Sequence, residues 1–288
     1  MPDKFAATWV SHSSISDFID CPRSYFLKNM YRSPQTGHKI QIMTPSLALG
    51  QVVHQVLESL SVLPVSERFT ATLLEQYEES WKSISGEQGG FGSSQDEERY
   101  KERGRKMLQR VQRNPGPLKE KAVKLQADLP YYWLSEEDEI ILCGKIDWLQ
   151  YLPEDDAVSI LDFKTGRNKE KPGSLQLPIY LLLTTYTQKR AVAGLSYWYL
   201  DLEDEPEEQE LPDIDEAHEQ IFAIAKKIKV ARKLERFVCP QGKQGCRACQ
   251  PFEQILLGRA HYVGVGNYKQ DIFTLRDVEK TNRDSVIL

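Results

Sequence analysis

Three residues in two short segments have the types and spacing to do chemistry together. Asp147 lies in GKIDWLQ, and Asp162 and Lys164 lie in ILDFKTG. Two carboxylates held close together repel each other unless a positive charge lies between them, and a divalent cation meets that need. Carboxylate oxygens suit Mg or Mn, which lower the pKa of a bound water and neutralise charge on a phosphoryl group. The three residues therefore favour metal-dependent phosphoryl chemistry.

Two strand-like stretches, residues 139–152 and 157–163, carry these side chains and are joined by the turn-forming sequence Pro-Glu-Asp-Asp. An antiparallel hairpin closed by a symmetric turn here would place Asp147 directly opposite Asp162. Alternation along the second strand would put Lys164 on the same face, where it could orient water or stabilise the transition state. The competing interpretation is a surface hairpin with incidental acidic residues.

The two segments resemble the PD-(D/E)XK nuclease superfamily, in particular its RecB-like branch. In that branch a His in a Gly-x-x-x-His setting on an upstream helix binds metal, and Gly50 and His54 match it. A Gln-x-x-x-Tyr motif follows the catalytic Lys, and Gln176 and Tyr180 match it at one-turn spacing. The opening SHSSISDFIDCPRSYFL is also similar to the RecB-like pattern. The resemblance implies that the metal ligands are His54, Asp147, Asp162 and the Phe163 carbonyl, and that the catalytic residues are Asp147, Asp162, Lys164, Gln176 and Tyr180.

Four cysteines form a second candidate centre. Cys239, Cys246 and Cys249 cluster in the loop FVCPQGKQGCRACQPF, and Cys21 is the obvious fourth ligand. Four thiolates suit an iron-sulfur cluster or a structural zinc, and uncoordinated thiols are the third alternative. Resemblance to RecB-like exonucleases, including AddB and the CRISPR-associated RecB-like proteins, implies a four-iron four-sulfur (4Fe-4S) cluster, although there the close Cys pair more often comes first. Cys143 is expected to be a small buried core residue.

The elements that must position these residues form an α/β (α+β) pattern. The resemblance implies a restriction-endonuclease-like core, in which a central mixed sheet is flanked by helices, with an N-terminal helical region and a C-terminal cysteine cluster. The sequence order agrees: helices, three strands from about residue 121, a helix over 172–188 opened by a proline, a strand, a helix over 214–235 and a cysteine-bearing tail. The expected N-terminal helices are a short one capped by Ser13 or Ser14, one opened by Pro22, and others over 46–62, 67–84 and 95–113.

Length and composition favour one elaborated domain over residues 1–288. We expect residues 65–120, which carry none of the family motifs, to be a helical insertion, and residues 237–288 to be the cysteine-bearing tail. The longest apolar stretches fall short of a bilayer span, so we expect a cytoplasmic protein without membrane contact. The Gly-rich loop 86–94 lacks the Lys-Ser/Thr ending of a phosphate-binding loop, and no Walker-type motif is visible.

The charge pattern bears on DNA binding. A formal net charge of -5 excludes a wholly basic surface. Three segments stand out: a first basic segment (99–124), a second basic segment (226–236) and an acidic segment (201–219). Solvated surface faces and phosphate-contacting surfaces are equally good interpretations of this pattern.

The residues and the resemblance together predict a metal-dependent DNA nuclease that hydrolyses phosphodiester bonds. The resemblance further implies an exonuclease in recombination, repair or CRISPR adaptation, acting on DNA with single-stranded ends and working with helicase or CRISPR integration proteins. The alternative is a catalytically idle DNA-binding or scaffold subunit of such a complex, and the intact Asp147, Asp162 and Lys164 set counts against it.

Overall fold

A computed structural model describes residues 3–125 and 127–275. The chain divides into two compact units that are each assembled from separated segments. Unit 1 contains the described residues of Met1–Ser16, Leu49–Ser83 and Arg99–Arg236, and unit 2 those of Asp17–Ala48, Ile84–Glu98 and Phe237–Leu288. The single domain expected from the sequence over residues 1–288 stays a prediction. No helix in the described ranges is long and apolar enough to cross a membrane.

The helices and strands follow one another in mixed order along the chain. The α-helices are α1 (His12–Asp20), α2 (Pro22–Tyr25), α3 (Pro45–Ser59), α4 (Leu73–Trp81), α5 (Ser94–Arg113), α6 (Gln176–Thr187), α7 (Ile214–Lys233) and α8 (Gln250–Leu256). The strands are β1 (Thr8–Val10), β2 (Lys39–Ile42), β3 (Tyr131–Ser135), β4 (Ile140–Cys143), β5 (Trp148–Leu152), β6 (Ala157–Lys164), β7 (Val192–Tyr199), β8 (Glu207–Gln209), β9 (His261–Val265) and β10 (Gln270–Thr274). A π-helical turn, Phe26–Met30, continues α2.

Unit 1 contains two sheets. The larger has the order β5-β6-β7-β8, in which β6 is antiparallel to β5 and parallel to β7, so the sheet is mixed. The smaller has the order β1-β4-β3. Helix α6 packs against α7, β3 and β7. Because β6 is flanked by neighbours on both edges, six of its eight residues are buried. The mixed α/β arrangement confirms the predicted fold class.

Unit 2 contains a third sheet, of order β2-β10-β9, and the cysteine cluster. Strand β10 is parallel to β2 and antiparallel to β9. The sequence pattern did not predict these strands, nor β1 and β8. Each is five residues or fewer, too short for an alternating pattern to stand out, and the pairing of β2 with β10 or of β1 with β4 joins segments far apart in sequence.

The hairpin register that the turn predicted is confirmed. Trp148 pairs with Leu161 and Leu149 with Ile160, so the register continued by one residue sets Asp147 against Asp162. The single long strand predicted over 139–152 is wrong, because β4 and β5 belong to different sheets. One unbroken strand of that length would extend roughly 45 Å, well beyond an ordinary strand.

Gly144 begins the break between β4 and β5. A Cβ at this position would lie 2.9 Å from a side-chain carbon of Leu183 on α6, so a larger residue here would require the Leu183 side chain to shift. The chain leaves the smaller sheet here and enters the larger one at β5. The three strands predicted in this region are therefore four.

Of three predicted helix starts, one agrees with the structure and two differ from it. Ser11, not Ser13 or Ser14, caps α1: its N–H donates to Ser14 Oγ at 2.8 Å, and the Ser14 N–H donates back to Ser11 Oγ at 3.3 Å. Helix α2 begins at Pro22 as predicted. The helix predicted from residue 172 begins at Gln176, because a turn with Gly173 at φ +81° precedes it.

The region 65–120 is helical as expected, with α4, all of α5 and short 3-10 turns. Residues 84–98 of this region belong to unit 2, and the rest belongs to unit 1. Its role as an insertion relative to the family stays a prediction.

Candidate active site

The Asp147 carboxylate is fixed by two contacts within unit 1. Asp147 lies one residue before β5, and its Oδ2 accepts a hydrogen bond of 2.9 Å from the N–H of Phe163 on β6. The same oxygen lies 3.2 Å from Nδ1 of His54 on α3. The hairpin therefore places this carboxylate, and α3 brings an imidazole to it.

Asp162 and Lys164 share one face of β6. Asp162 is only 2% exposed, and its Oδ2 lies 2.9 Å from Lys164 Nζ. Oδ2 is buried and makes no well-aligned hydrogen bond, so the Lys164 ammonium is what balances its charge. A buried carboxylate oxygen of this kind is costly to desolvate and is suited to a cation. Phe163 points the other way and is 1% exposed, as strand alternation predicts.

Gln176 connects the lysine to the buried carboxylate. Lys164 Nζ donates a short hydrogen bond to Gln176 Oε1, and Gln176 Nε2 donates to Asp162 Oδ1 at 2.7 Å. The same Nε2 lies 3.1 Å from Tyr180 Oη. Gln176 and Tyr180 are one turn apart on α6, so the sequence motif corresponds to one hydrogen-bonded network. The amide is oriented by having a donor on one side and an acceptor on the other.

Helix α3 supplies two candidate ligands, of which the sequence motif indicated one. Glu58 lies four residues after His54, on the same helix face. One ligand atom from each of His54, Glu58 and Asp147 lies within 4.8 Å of the others. Glu58 also forms an ion pair with Lys145. The His-x-x-x-Glu spacing was the signal that could have found Glu58.

Gly50 explains how α3 approaches the strand. A Cβ at Gly50 would lie 3.2 Å from Oγ1 of Thr165, which directly follows Lys164. A larger side chain would require the Thr165 side chain or the helix to shift by a few tenths of an ångström. Since His54 lies one turn further along, this close approach sets the distance between the imidazole and Asp147.

The site concentrates negative charge in a buried place. Burial raises the pKa of Asp162 well above its usual value, and the Asp147 carboxylate raises it further, while Lys164 and His54 oppose the shift. Burial lowers the pKa of His54, but Asp147, Asp162 and Glu58 together outweigh that effect, so the pKa lies above its ordinary value. Both shifts have the sign expected where carboxylates lack a compensating cation.

Lys164 and Tyr180 keep their protons at neutral pH. Burial lowers the pKa of Lys164, but Asp162 and Glu170 raise it more, and the ammonium also lies 4.9 Å from the centre of the Tyr197 ring. Burial raises the pKa of Tyr180, and the Asp162 charge adds to the shift. Lys164 is therefore a charged donor, not a base.

The donor set fits a hard divalent cation. It combines the carboxylates of Asp147 and Glu58 with the imidazole of His54, and sets of this kind suit Mg or Mn, whereas Asp162 is paired with Lys164 and lies outside this group. The main-chain N–H of Phe163 donates to Asp147, and a metal-ligand role for the Phe163 carbonyl stays a prediction.

The helical region 65–120 reaches the same hairpin. Arg68 is 4% exposed and donates to the main-chain oxygens of Leu118 at 2.8 Å and Glu120 at 2.6 Å. Its guanidinium lies 4.9 Å from the centre of the Trp148 ring. Since Trp148 follows Asp147, this buried stack fixes the start of β5 beside the carboxylate.

A cleft of about 260 Å³ opens beside the carboxylates. Asp147, Glu58 and Asp128 supply acids to its wall, and Lys124 and Lys145 supply cations. Lysines are common contacts for nucleic-acid phosphates. The cleft gives a charged ligand a route to Asp147.

The first basic segment is engaged within the protein. Arg103 Nε lies 2.8 Å from Asp201, and Arg110 Nε lies 3.0 Å from Asp204. Both acids belong to the acidic segment. These arginines form ion pairs with the acidic segment. The pairs favour the interpretation of solvated faces over that of a surface that contacts DNA.

The four predicted cysteines come together within unit 2. Cys21, Cys239, Cys246 and Cys249 are each 8% exposed or less, and one sulfur from each lies within 4.8 Å of the others. Cys21 precedes α2, and Cys249 precedes α8. The four-thiolate grouping can hold a metal, either zinc or iron-sulfur in type. Cys143 is buried elsewhere, as expected, and its Sγ donates to the Val10 carbonyl.

Comparison with protein families agrees with this geometry. The family model of the PD-(D/E)XK nuclease superfamily matches residues 9–252, which include both strands of the hairpin, α3 and α6. The chain belongs to the PD-(D/E)XK nuclease superfamily. Membership implies a metal-dependent nuclease with DNA as its substrate. No curated protein matches the chain.

Proposed function

We propose that this protein is a Mg- or Mn-dependent deoxyribonuclease whose active site is formed by Asp147, Asp162, Lys164 and His54. The observation that carries the proposal is the pair of carboxylates set across the β5–β6 hairpin, with a protonated lysine 2.9 Å from the buried one. A surface hairpin would not bury an acid against an ammonium in this way. The geometry therefore favours a working catalytic site over an idle scaffold.

His54, Asp147 and Asp162 would hold the cation, with Glu58 and the Phe163 carbonyl as further ligands. When bound, the cation supplies Lewis-acid polarisation of a phosphoryl oxygen and a lowered pKa for water. The chain contributes a buried, prearranged set of oxygens, so little reorganisation is needed when the substrate arrives.

Lys164 would act on the reacting phosphate through its charge. Because its pKa is raised, the ammonium donates hydrogen bonds and does not accept a proton. It would orient the attacking water and stabilise negative charge that builds on the phosphoryl oxygens. Overall, the oxygen of water bonds to phosphorus, one phosphorus-oxygen ester bond breaks, and the leaving oxygen ends with a proton.

Gln176 and Tyr180 would position these groups. The Gln176 amide accepts from Lys164 and donates to Asp162, so it holds both side chains in one orientation. Tyr180 Oη lies beside the same amide and remains a neutral phenol. Outer partners of this kind commonly tune metal ligands.

We further propose exonuclease action on single-stranded DNA ends, in recombination, repair or CRISPR adaptation, with a helicase or CRISPR integration protein as partner. This narrower proposal is supported by the resemblance of the sequence motifs to the RecB-like branch. The cleft beside Asp147, with Lys124 and Lys145 in its wall, is compatible with a strand end that enters the site.

The test is degradation of end-labelled DNA by the wild type, Asp162→Ala and Lys164→Ala, with Mg or Mn. We expect each variant to lose activity by about 10²-fold or more, the typical cost of removing a group that stabilises the transition state. Lys169→Ala is the matched control, because Lys169 lies in the following loop and pairs with Glu203 and Glu207 outside the network.

Substrates with blocked ends separate the finer proposals. Blocking both ends should abolish degradation by an exonuclease, and single strands should be degraded faster than duplexes. If Asp162→Ala and Lys164→Ala degrade DNA as fast as wild type, or if wild type binds DNA without cleaving it in either metal, the nuclease proposal fails and the scaffold alternative replaces it.

A further inference from the structure

The four-cysteine site has a size that discriminates between metal centres. All four sulfurs lie within 4.8 Å of one another, and Cys246 Sγ and Cys249 Sγ are 3.8 Å apart. Four thiolates around one tetrahedral zinc, with Zn–S bonds of about 2.3 Å, are separated by about 3.8 Å. The thiolates of a 4Fe-4S cluster each bind a different iron, so they lie much further apart than four ligands of one ion.

The surroundings hold the sulfurs at this short spacing. Gly245 lies at φ +73°, and a Cβ there would be 3.2 Å from Cys249 Sγ, so glycine lets the loop fold tightly against the sulfur. The Cys246 N–H donates to Cys249 Sγ at 3.2 Å. Apolar side chains enclose the group: Leu27, Ile40 and Phe252 are buried with the cysteines, and Ile42 and Phe273 pack against them.

An ion pair also lies next to the cysteines. Arg23 directly follows Pro22, and its Nε lies 2.6 Å from Glu253 Oε1 on α8. This ion pair joins the segment that contains Cys21 to the segment that contains Cys249, the two segments that a shared metal would link.

We propose that Cys21, Cys239, Cys246 and Cys249 bind a single structural zinc ion rather than the 4Fe-4S cluster implied by the RecB-like resemblance. The ion ties the segment around α2 to the C-terminal cysteine loop, which are more than two hundred residues apart in sequence and both in unit 2. Structural zinc of this kind supplies folding energy to the unit that it closes. The four cysteines belong to unit 2, whereas the proposed nuclease residues belong to unit 1.

The test is metal analysis of the full chain, expressed without a metal-binding tag in cells supplied with iron and zinc. Purification is anaerobic and ends with a chelator wash that removes exchangeable ions. We expect about one zinc per chain and a colourless protein. About four irons per chain, acid-labile sulfide and absorption near about 400 nm would overturn the proposal, and so would protein that contains neither metal.

Variants assign the zinc to the thiols. Cys246→Ser should lower the zinc content at least about fivefold, because a hydroxyl is a poor fourth ligand for this ion. Cys143→Ser, a buried cysteine outside the group, should keep it. A zinc content that falls in Asp147→Ala and persists in Cys246→Ser would place the ion at the nuclease site and overturn the proposal.

Cobalt exchange covers the case in which Cys246→Ser does not fold. Wild-type protein refolded with Co²⁺ in place of zinc should show the intense visible bands and sulfur-to-metal charge transfer of a tetrahedral thiolate site. Stoichiometric cobalt without those bands contradicts the four-thiolate assignment. DNA degradation by the same zinc-containing preparation is measured separately. The zinc content can therefore be interpreted even if the protein has no nuclease activity.

Discussion

Replacing Gln176 with leucine should separate the network that orients the active site from the groups that form it. The substitution leaves the side chains of Asp162 and Lys164 in place but removes the amide that bonds to both. Leucine keeps a similar volume at a position that is 7% exposed, so packing should change little. The variant therefore tests hydrogen bonding rather than cavity formation.

The structure sets the expected size of the effect. Two hydrogen bonds to charged partners are lost, each worth roughly 1.5–3 kcal/mol in a buried place. The free energy of unfolding should fall by a few kcal/mol, since Asp162 and Lys164 regain part of the loss through each other. Without the N–H donor the pKa of Asp162 should rise, so less of it is ionised and cation binding weakens. Activity at limiting Mg should fall about 10–100-fold.

Metal titrations of the initial rate of DNA degradation, together with denaturant unfolding, measure the two effects. Gln176→Glu sharpens the test, because a carboxylate keeps the acceptor for Lys164 but repels Asp162, so its metal requirement should rise most steeply. Gln112→Leu is the control for loss of a glutamine hydrogen bond, as its Oε1 accepts from the Leu73 N–H far from the site chemistry. Wild-type metal dependence in both Gln176 variants would refute the positioning role.

Three further outcomes follow from the same geometry. Glu58→Gln should raise the Mg concentration for half-maximal activity about tenfold, whereas Lys145→Gln, which breaks the same ion pair but keeps the carboxylate, should not. In metal-free protein the pKa of His54 is raised, and the imidazole pairs with Asp147. This pairing stabilises the fold fully below about pH 6.5, and the stabilisation is lost as pH rises through the folded pKa of His54. His54→Gln should therefore flatten this part of the pH dependence of the free energy of unfolding. Gly104→Ala should destabilise the protein by about 1–3 kcal/mol in denaturant melts, since the added methyl would meet a buried tyrosine hydroxyl at 2.1 Å; an unchanged midpoint would contradict this.

The local sequence determined the hairpin that carries Asp147 and Asp162. The turn between β5 and β6 fixes which residues face each other, and strand alternation fixes which side chains share a face, so the pairing of Asp147 with Asp162 follows from counting residues. The one-turn spacing of Gln176 and Tyr180 similarly predicts that both lie on one face of α6. These are short-range relations, which the covalent chain specifies directly.

Tertiary structure decided which distant segments meet, and with what spacing. Glu58 joined the site because α3 approaches the hairpin closely at Gly50, a contact with Thr165 that no local pattern encodes. The break at Gly144 likewise depends on α6, which occupies the space of a side chain.

The cysteines illustrate both levels. Their residue type and grouping identified a thiolate centre from sequence alone, and all four do come together. The separation between sulfurs, which distinguishes one zinc ion from a larger cluster, depends on how the segments around Cys21 and Cys249 pack in unit 2. Sequence spacing limits which ligands can share a metal, but only the folded backbone sets the distances between them, because each sulfur is held by packing from elements remote in the chain.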